Sequence, residues 1–587
     1  MDVYRPPLDD IRFNLEVFGF SDHVATIERF ADFDLDTSMS LLEEYAKFCV
    51  DVLKPLNAKG DTQGVRFDPA AHTVTTPDGF KAAYDGFCEN AFNTIPWNPE
   101  HGGMGAPAVL STLASEVLIA TNKSFSMCTG LTAGLIEALE AYGTDAQKEE
   151  YLEKLISGQW AGTMCLTEPQ CGTDLGLLST TATPEGDAFR LTGTKIWITF
   201  GEHDLTENIV HLVLARLPDA PPGIKGISAF IVPKFLDGER NPIFCGGTDH
   251  KMGIHASPTC VMNLEGAKGW MVGAPNQGMR SMFVMMNAAR LNVGIEGVAL
   301  AEAAYQAALA FAKDRRQSRS LDPAKRDRDA AADNILVHPD VRRMLLDAKS
   351  TNEGLRGLVA WIALNLDVMH HAASEADREK AGDLVALLTP IIKSYGSERG
   401  FQNVSTAMQV TGGAGYTKDW PIEQYMRDVR IAMIYEGTNH IQALDLVGRK
   451  LPMHGGRLMR VFAGEVTNLI RECSDDPRMA EFLGPLKVES KRLNTTTMEM
   501  GAAAAGDHEV VGAVASNYLN QFALVTLGYV WAKQVQAVLK LDEEDPHRRA
   551  KLQTARYFFQ LVLPEAEAYA KKVAAGKAPV DADPDLL

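Results

Sequence analysis

The hydrophobic period of this chain changes twice, and that change constrains the fold more than any other feature. Over residues 40–157 apolar side chains recur at three and four, as in 40–53, 106–120 and 131–142, the pattern of amphipathic helices. Over 161–265 the apolar runs become short or alternating, at 162–166, 188–191, 195–199, 209–215, 227–232 and 259–264, with Gly, Pro and Asp between them. That texture predicts a β-domain of several antiparallel strands. Helical spacing returns from about Gln277, and 282–313 predicts one very long helix. The order is helices, sheet, helices, then more helices, which is an α+β multidomain chain.

At 587 residues, three or more domains are expected, because a single hydrophobic core stops growing well below that size. Residues 1–39 read as an extension packed on the main body. The segments that follow are an N-terminal helical domain over 40–160, a middle β domain over 161–276 and a second helical domain over 277–451. A Pro-Met-His-Gly-Gly linker at 452–456 leads to an extra helical domain over 457–575. The tail at 576–587, with its Pro and Asp, is expected to be disordered. Residues 315–334, dense in Arg, Asp and Lys, predict a solvated loop.

Charge excludes some functions. A formal net charge of −19 argues against a nucleic-acid partner and against anionic membrane surfaces. A small basic pocket for an anionic ligand remains compatible with it. The eight cysteines form no CxxC pair and no cluster with zinc spacing, so buried thiols and no metal are expected. The N-terminus lacks a signal-peptide pattern. The apolar stretch at 522–532 is about half the ~20 residues of a membrane span. A cytoplasmic protein without a membrane span is the expectation.

Four segments concentrate chemistry. Met164 to Asp174 reads MCLTEPQCGTD, a strand ending in hydroxyls and free amides that could hold ring carbonyls and a pyrophosphate, or equally a turn with an Asx cap. Trp197 and Thr199, two apart on a strand, share a face that could stack an aromatic ring, or the Trp covers the sheet's core. Gln409 to Tyr416 reads QVTGGAGY, where glycines admit a phosphate to the backbone or simply cap a helix. Glu436 precedes a glycine in YEGTNH, in a break between helical runs. There a desolvated carboxylate could act as a base, although a lone Glu-Gly is most often a surface turn.

Singly these signals are weak; their joint order is specific. With PEHGGMG at 99–105, LTEPQCGTD at 166–174, Trp197–Thr199, Gln409–Gly415 and the Arg427–Thr438 stretch, residues 40–450 resemble the acyl-CoA dehydrogenase family. The resemblance implies a helical N-terminal domain, a β-barrel-like middle domain and a C-terminal four-helix domain, here with an extra C-terminal helical domain. It implies FAD as cofactor, held by Met164, Leu166, Thr167, Thr173, Trp197 and Thr199. Arg315, Gln317, Gln409, Gly412 and Gly413 resemble residues that reach a neighbouring subunit's cofactor, and Thr438 one that binds it just after the base. Glu436 is implied as the base for the proton next to the thioester. Thr173, Asn287, Arg290, Glu436 and Gly437 are the implied substrate contacts. The part of the family that carries its base on the long helix has a carboxylate where this chain reads Asn287-Ala288-Ala289.

Departures accompany the match. Thr173 stands where Ser is usual, Asn287 where Asp is common and His440 where Gln is common, and Gln317-Ser318-Arg319 lacks the usual Phe-Gly. The length resembles the long, usually dimeric members, so a homodimer is implied, with electron-transfer flavoprotein as acceptor. The segment Tyr4 to Phe13 and the HASPTC stretch at 255–260 resemble one bacterial branch, the 3-(methylthio)propanoyl-CoA dehydrogenases of dimethylsulfoniopropionate degradation. The implied substrate is that thioester. The alternatives are short- to long-chain fatty acyl-CoA dehydrogenation and an acyl-CoA oxidase.

Overall fold

The computed structural model describes residues 3–586; Met1, Asp2 and Leu587, the outermost residues of the extension and the tail, lie outside it. The chain forms two compact units, one of residues 41–292 and one of 1–40 with 293–587.

The first unit pairs helices with a sheet. The apolar spacing at 106–120 and 131–142 belongs to one helix, Ala108–Tyr142, bent where Asn122 leaves helical geometry. The sheet has seven strands among the described residues: β1 Trp160–Cys165, β2 Thr181–Glu185, β3 Ala188–Thr199, β4 Asn208–Arg216, β5 Ile227–Pro233, β6 Ile243–Thr248 and β7 Thr259–Val272. Its order is β6-β7-β3-β2-β4-β1, and β5 pairs with both β7 and β4. The strands β7, β3, β2, β4 and β5 therefore close a ring, which removes most free edges. One expectation is corrected: not every pairing is antiparallel, because β1 runs parallel to β4. A parallel neighbour needs a long crossover, and β2 and β3 lie within it. A further hairpin, Arg66–Asp68 with Thr73–Thr75, interrupts the helical region.

A polar layer lies inside this unit. His211 on β4 is fully buried, with Nδ1 2.7 Å from the Thr163 hydroxyl on β1. His203 is buried nearby in the chain, its Nδ1 accepting from the Leu205 amide at 3.1 Å. Buried Glu202 pairs with Lys234, and with Arg240 at 3.1 Å.

The second unit is helical. Its helices include α1 Leu8–Val17, α2 (residues 293–314 of the Gly278–Asp314 helix), α3 Pro339–His371, α4 Glu375–Ile391, α5 Ser397–Thr411, α6 Asn439–Asp445, α7 Glu509–Val538 and α8 Pro546–Tyr557. Helix α7 is long and apolar enough to cross a membrane by length and composition, but 67% of its apolar window is buried inside the fold. It packs closely on α3, where a Cβ on Gly354 would meet Trp531 Nε1 at 2.9 Å. Asp10 of α1 accepts from Arg356 of α3 at 2.6 Å and from Lys551 of α8 at 2.5 Å. Burial pushes the Asp10 carboxyl up, but the two cations outweigh it and hold it well below the usual carboxylate range. Arg356 also pairs with Glu302 of α2 at 3.1 Å, and Lys551 with Glu353 at 2.7 Å.

Two other stretches carry more order than the sequence suggests. The 315–334 loop is largely exposed but tied by Asp333, which accepts from the Ser320 and Asp327 amides at 2.7 Å each. The tail is anchored at Lys577, whose ammonium lies 2.6 Å from Asp507 and 2.8 Å from Glu509.

Burial lowers the His203 and His211 imidazoles from 6.5 to about 3, helped by the Lys234 charge. Both are neutral in the fold above that value. As pH falls below 6.5 the unfolded chain takes up protons that the fold refuses until about 3, so stability present above 6.5 is lost progressively. The unfolding free energy should fall between pH 6.5 and 4, by up to about 1.4 kcal/mol per pH unit for each imidazole, and the thermal midpoint should fall with it. Scanning fluorimetry across that range checks it, and a flat midpoint would contradict it.

Candidate active site

In the first unit the LTEP segment leaves the end of β1 and meets β3, where the Ile196 amide donates to Thr167 O at 2.9 Å. Beneath this contact Lys195 is fully buried. Its ammonium donates to Leu166 O at 3.0 Å and to Glu168 Oε1 at 2.8 Å. The Glu168 carboxylate also accepts from the amides and hydroxyls of Ser179 and Thr180, at 2.6 to 3.0 Å, and from Gln170 at 2.6 Å. Burial pushes this carboxyl up, but Lys195 and the hydroxyls outweigh it and bring it down to about 2. Glu168 is therefore an internal anchor that shapes the strand end. Asp174 caps its turn, accepting from Gly176 N at 3.0 Å. Thr167 is half-buried and Thr173 exposed.

Strict alternation along β3 fails at Trp197. Cys260 pairs with Ile198 but Met262 with Lys195, so β3 carries one extra residue, a bulge. Trp197 takes φ +59°, unusual for a bulky side chain, and stays 62% exposed while Ile198 is buried. An indole left in solvent by a strained bulge is not covering the core, which disposes of that alternative. Thr199 is half-buried beside it in sequence.

On the early part of the long helix, Arg290 is buried and donates to Asn287 Oδ1 at 3.4 Å. Met279, Met282, Met285 and Met286 of the same helix pack with Met164, Leu131, Ala133 and Leu135 in one apolar cluster. Gly134 lets this happen: a Cβ there would meet Met285 Cγ at 2.6 Å.

In the second unit Glu436 lies between a short turn at Arg430–Met433 and helix α6. It is half-buried with φ +55°, and Gly437 follows at +81°. Two successive left-handed residues turn both carbonyls inward. Gln442 Nε2 donates to Glu436 O at 3.2 Å, and Lys393 Nζ donates to Gly437 O at 2.6 Å. Thr438 caps α6, accepting from Ile441 N at 3.3 Å. Tyr435 donates to the Glu296 carboxylate of α2, at 2.6 Å to Oε2, and burial with that charge holds the phenol well above its ordinary range. Arg427 pairs with Glu423 of its own helix at 2.8 Å.

Gln409, Gly412 and Gly413 sit at the exposed end of α5. Gly412 has φ +57° and ψ −142°, a conformation glycine alone adopts readily. A Cβ on Gly412 or Gly413 would meet nothing within 4 Å, so the backbone there is open to an incoming group. Arg315 and Gln317 are exposed, with Arg315 Nη2 3.2 Å from Gln317 Oε1. His440 is exposed and lies with Nδ1 3.0 Å from the Ser516 hydroxyl of α7. The structure thus gathers Met164, Leu166, Thr167, Thr173, Trp197, Thr199, Asn287 and Arg290 in one unit. Glu436, Gly437, Thr438, Arg315, Gln317, Gln409, Gly412 and Gly413 are in the other. Sequence reasoning missed Lys195, Glu296, Lys393 and Gln442. For Lys195 the available signal was a lysine within a strand of otherwise apolar and aromatic neighbours.

Known families match in the same order as these elements. The acyl-CoA dehydrogenase N-terminal domain matches residues 36–159, the middle domain 163–290 and the C-terminal domain 276–451. An acetyl-CoA dehydrogenase C-terminal-like domain matches 462–582. The chain belongs to the acyl-CoA dehydrogenase family. It is 41% identical to a 3-methylmercaptopropionyl-CoA dehydrogenase of Ruegeria pomeroyi, over 96% of this chain and 97% of that protein. It is 33% identical to a broad-specificity linear acyl-CoA dehydrogenase of Mycobacterium tuberculosis, over 96% of each. A crystal structure of a Bacillus anthracis acyl-CoA dehydrogenase complexed with FAD has the same fold, with TM-score 0.76 and 22% identity over 95% of this chain and 90% of that one.

Removing Lys195 strands a buried carboxylate. Lys195→Met should cost about 3–5 kcal/mol, and adding Glu168→Gln should restore part of it. Denaturant unfolding of the two variants tests this; a loss under about 1 kcal/mol in the single variant would contradict the role of the pair.

Proposed function

We propose that this chain is an FAD-dependent dehydrogenase that converts 3-(methylthio)propanoyl-CoA to 3-(methylthio)acryloyl-CoA, with Glu436 as the catalytic base. The observation that carries the base assignment is the paired left-handed geometry of Glu436 and Gly437, which sets a half-buried carboxylate on a tethered loop. Strained backbone of this kind persists only where the surroundings over-determine it, and it clusters at active sites.

The residues present fit FAD. In one unit the exposed Trp197 and the hydroxyl-bearing Thr167 and Thr173 suit a ring with polar edges. In the other, the open backbone at Gly412 and Gly413 and the exposed Arg315 suit a pyrophosphate. On this reading Met164, Leu166, Thr167, Thr173, Trp197 and Thr199 hold the flavin, and Thr438, Arg315, Gln317, Gln409, Gly412 and Gly413 complete the site within a homodimer. When bound there, FAD would supply the acceptor for the hydride leaving the β-carbon. Glu436 takes the α-proton, and its backbone N–H donates to the thioester oxygen as enolate charge develops. Arg290 and Asn287, with Thr173 and Gly437, contact the substrate. Electron-transfer flavoprotein is the proposed acceptor, the cytoplasm the proposed location and dimethylsulfoniopropionate degradation the proposed setting. The partition at 40–160, 161–276, 277–451 and 457–575 is the proposed domain scheme.

The substrate reading is supported by the Ruegeria relative, a 3-methylmercaptopropionyl-CoA dehydrogenase, named for this same thioester. A thioether is nearly isosteric with a methylene and is polarizable, so an apolar site that accepts one accepts the other. The same argument makes a short straight chain acceptable, since one methylene-sized group is worth only about 1–3 kcal/mol. The Mycobacterium relative, broad in specificity for linear acyl-CoA, supports that second reading.

The purified protein should be yellow, with a flavin band near full occupancy. Glu436→Gln should keep that band and lose at least about 10²-fold in turnover; near-normal turnover would remove the base from this position. Across methylthiopropanoyl-, butanoyl-, octanoyl- and palmitoyl-CoA, the first two should give the highest kcat/KM. A palmitoyl preference above about tenfold would replace this substrate with a long chain.

A further inference from the structure

The base loop is held from beneath by residues that no part of the sequence pattern marks. Lys393 lies in a π-turn, Ile392–Gly396, between α4 and α5, and is fully buried. Besides Gly437 O, its ammonium donates to Asn439 Oδ1 at 3.1 Å. Asn439 is fastened to the same turn: its amide donates to Ser394 O at 3.2 Å, and Ser397 donates to its oxygen at 3.1 Å. Gln442, also fully buried, reaches both Glu436 O and Gly437 O, at 3.2 and 3.3 Å.

The π-turn itself has no room to shift. A Cβ on Gly294 of α2 would meet Ile392 O at 2.8 Å, and one on Gly297 would meet Gly396 O at 2.1 Å. Helix α2 also carries Glu296, the acceptor for Tyr435. The residue before the base and the two carbonyls after it are therefore referred to one rigid surface.

We infer that Lys393 is a positioning residue for the base: together with Gln442 it draws the carbonyls of Glu436 and Gly437 inward and thereby keeps Glu436 in its left-handed conformation. This rests on Glu436 being the base. A glutamate released from such a restraint returns to right-handed or extended backbone, which re-aims both its carboxylate and its N–H. Lys393 touches neither substrate nor flavin in this account; it acts through residue 436. A displacement of about 1 Å at a reacting group costs up to about 10²-fold in rate, so the effect falls on kcat rather than on affinity.

The test uses the flavin-loaded enzyme and butanoyl-CoA. Lys393→Met keeps the length of the side chain and removes the ammonium; Gln442→Leu removes the second donor. Both should lower kcat by about tenfold or more while KM stays within about threefold and flavin content is unchanged. In a crystal structure of either variant residue 436 should leave positive φ. If Lys393→Met fails to fold, Gln442→Leu decides alone: a lowered kcat with altered φ supports the inference, and wild-type kcat overturns it. A rise in KM with kcat intact would also overturn it. Glu436→Gln separates the two levels. If it keeps turnover, the base reading has failed. If it loses turnover while Lys393→Met and Gln442→Leu remain at wild-type rate, only the positioning role has failed.

Discussion

In each unit, a buried lysine that holds a backbone carbonyl is the interaction on which the candidate residues depend. In the first unit Lys195 donates to Leu166 O and neutralises Glu168, and the strand end that carries Thr167 and Thr173 takes its shape from that pair. In the second unit Lys393 donates to Gly437 O beneath the Glu436 loop. Burying an ammonium is costly unless its donors are satisfied, so each lysine enforces the arrangement around it. The exposed residues, Trp197 and Thr173 on one unit and Gly412 on the other, can then be presented without being rigid themselves.

The long chain adds a second layer of support. Asp10, Arg356, Lys551, Glu353 and Glu302 tie α1, α3, α8 and α2 through buried charges, so the N-terminal extension and the last helices close on one core. Arg356 links this network to α2 through Glu302, and α2 also carries Glu296. The stretches that suggested a bacterial branch have structural work here. Arg5 N donates to Gln306 at 2.8 Å on α2, and His255 sits 2.9 Å from Asp61. His440, which departs from the family pattern, faces Ser516 of the extra helical region rather than standing free.

Much of the fold was legible because burial repeats with the period of the backbone. The long helix was expected over 282–313 and runs Gly278–Asp314, and strands were expected where 209–215 and 227–232 now lie in β4 and β5. β2 and β6 went unseen: TATPE is largely exposed and IFCGGT carries two glycines, so neither alternates cleanly. The closure of the ring by β5 is a tertiary fact with no local signature. At the site, the residue types were legible and their restraints were not. Glu436 takes its conformation with help from a lysine that bonds Gly437 from 44 positions away, and Trp197 sits in a bulge created by pairing with β7. Such features depend on partners that chain proximity does not supply.

In the proposed reaction the carboxylate of Glu436 removes the proton next to the thioester. Solvent-deuterium exchange at that carbon isolates this step when the thioester lacks a β-hydrogen, because no hydride can then leave. Acetyl-CoA in deuterium oxide, followed by mass spectrometry, should gain deuterium with the wild-type enzyme and none above background with flavin-loaded Glu436→Gln. Equal exchange by both proteins would contradict the account.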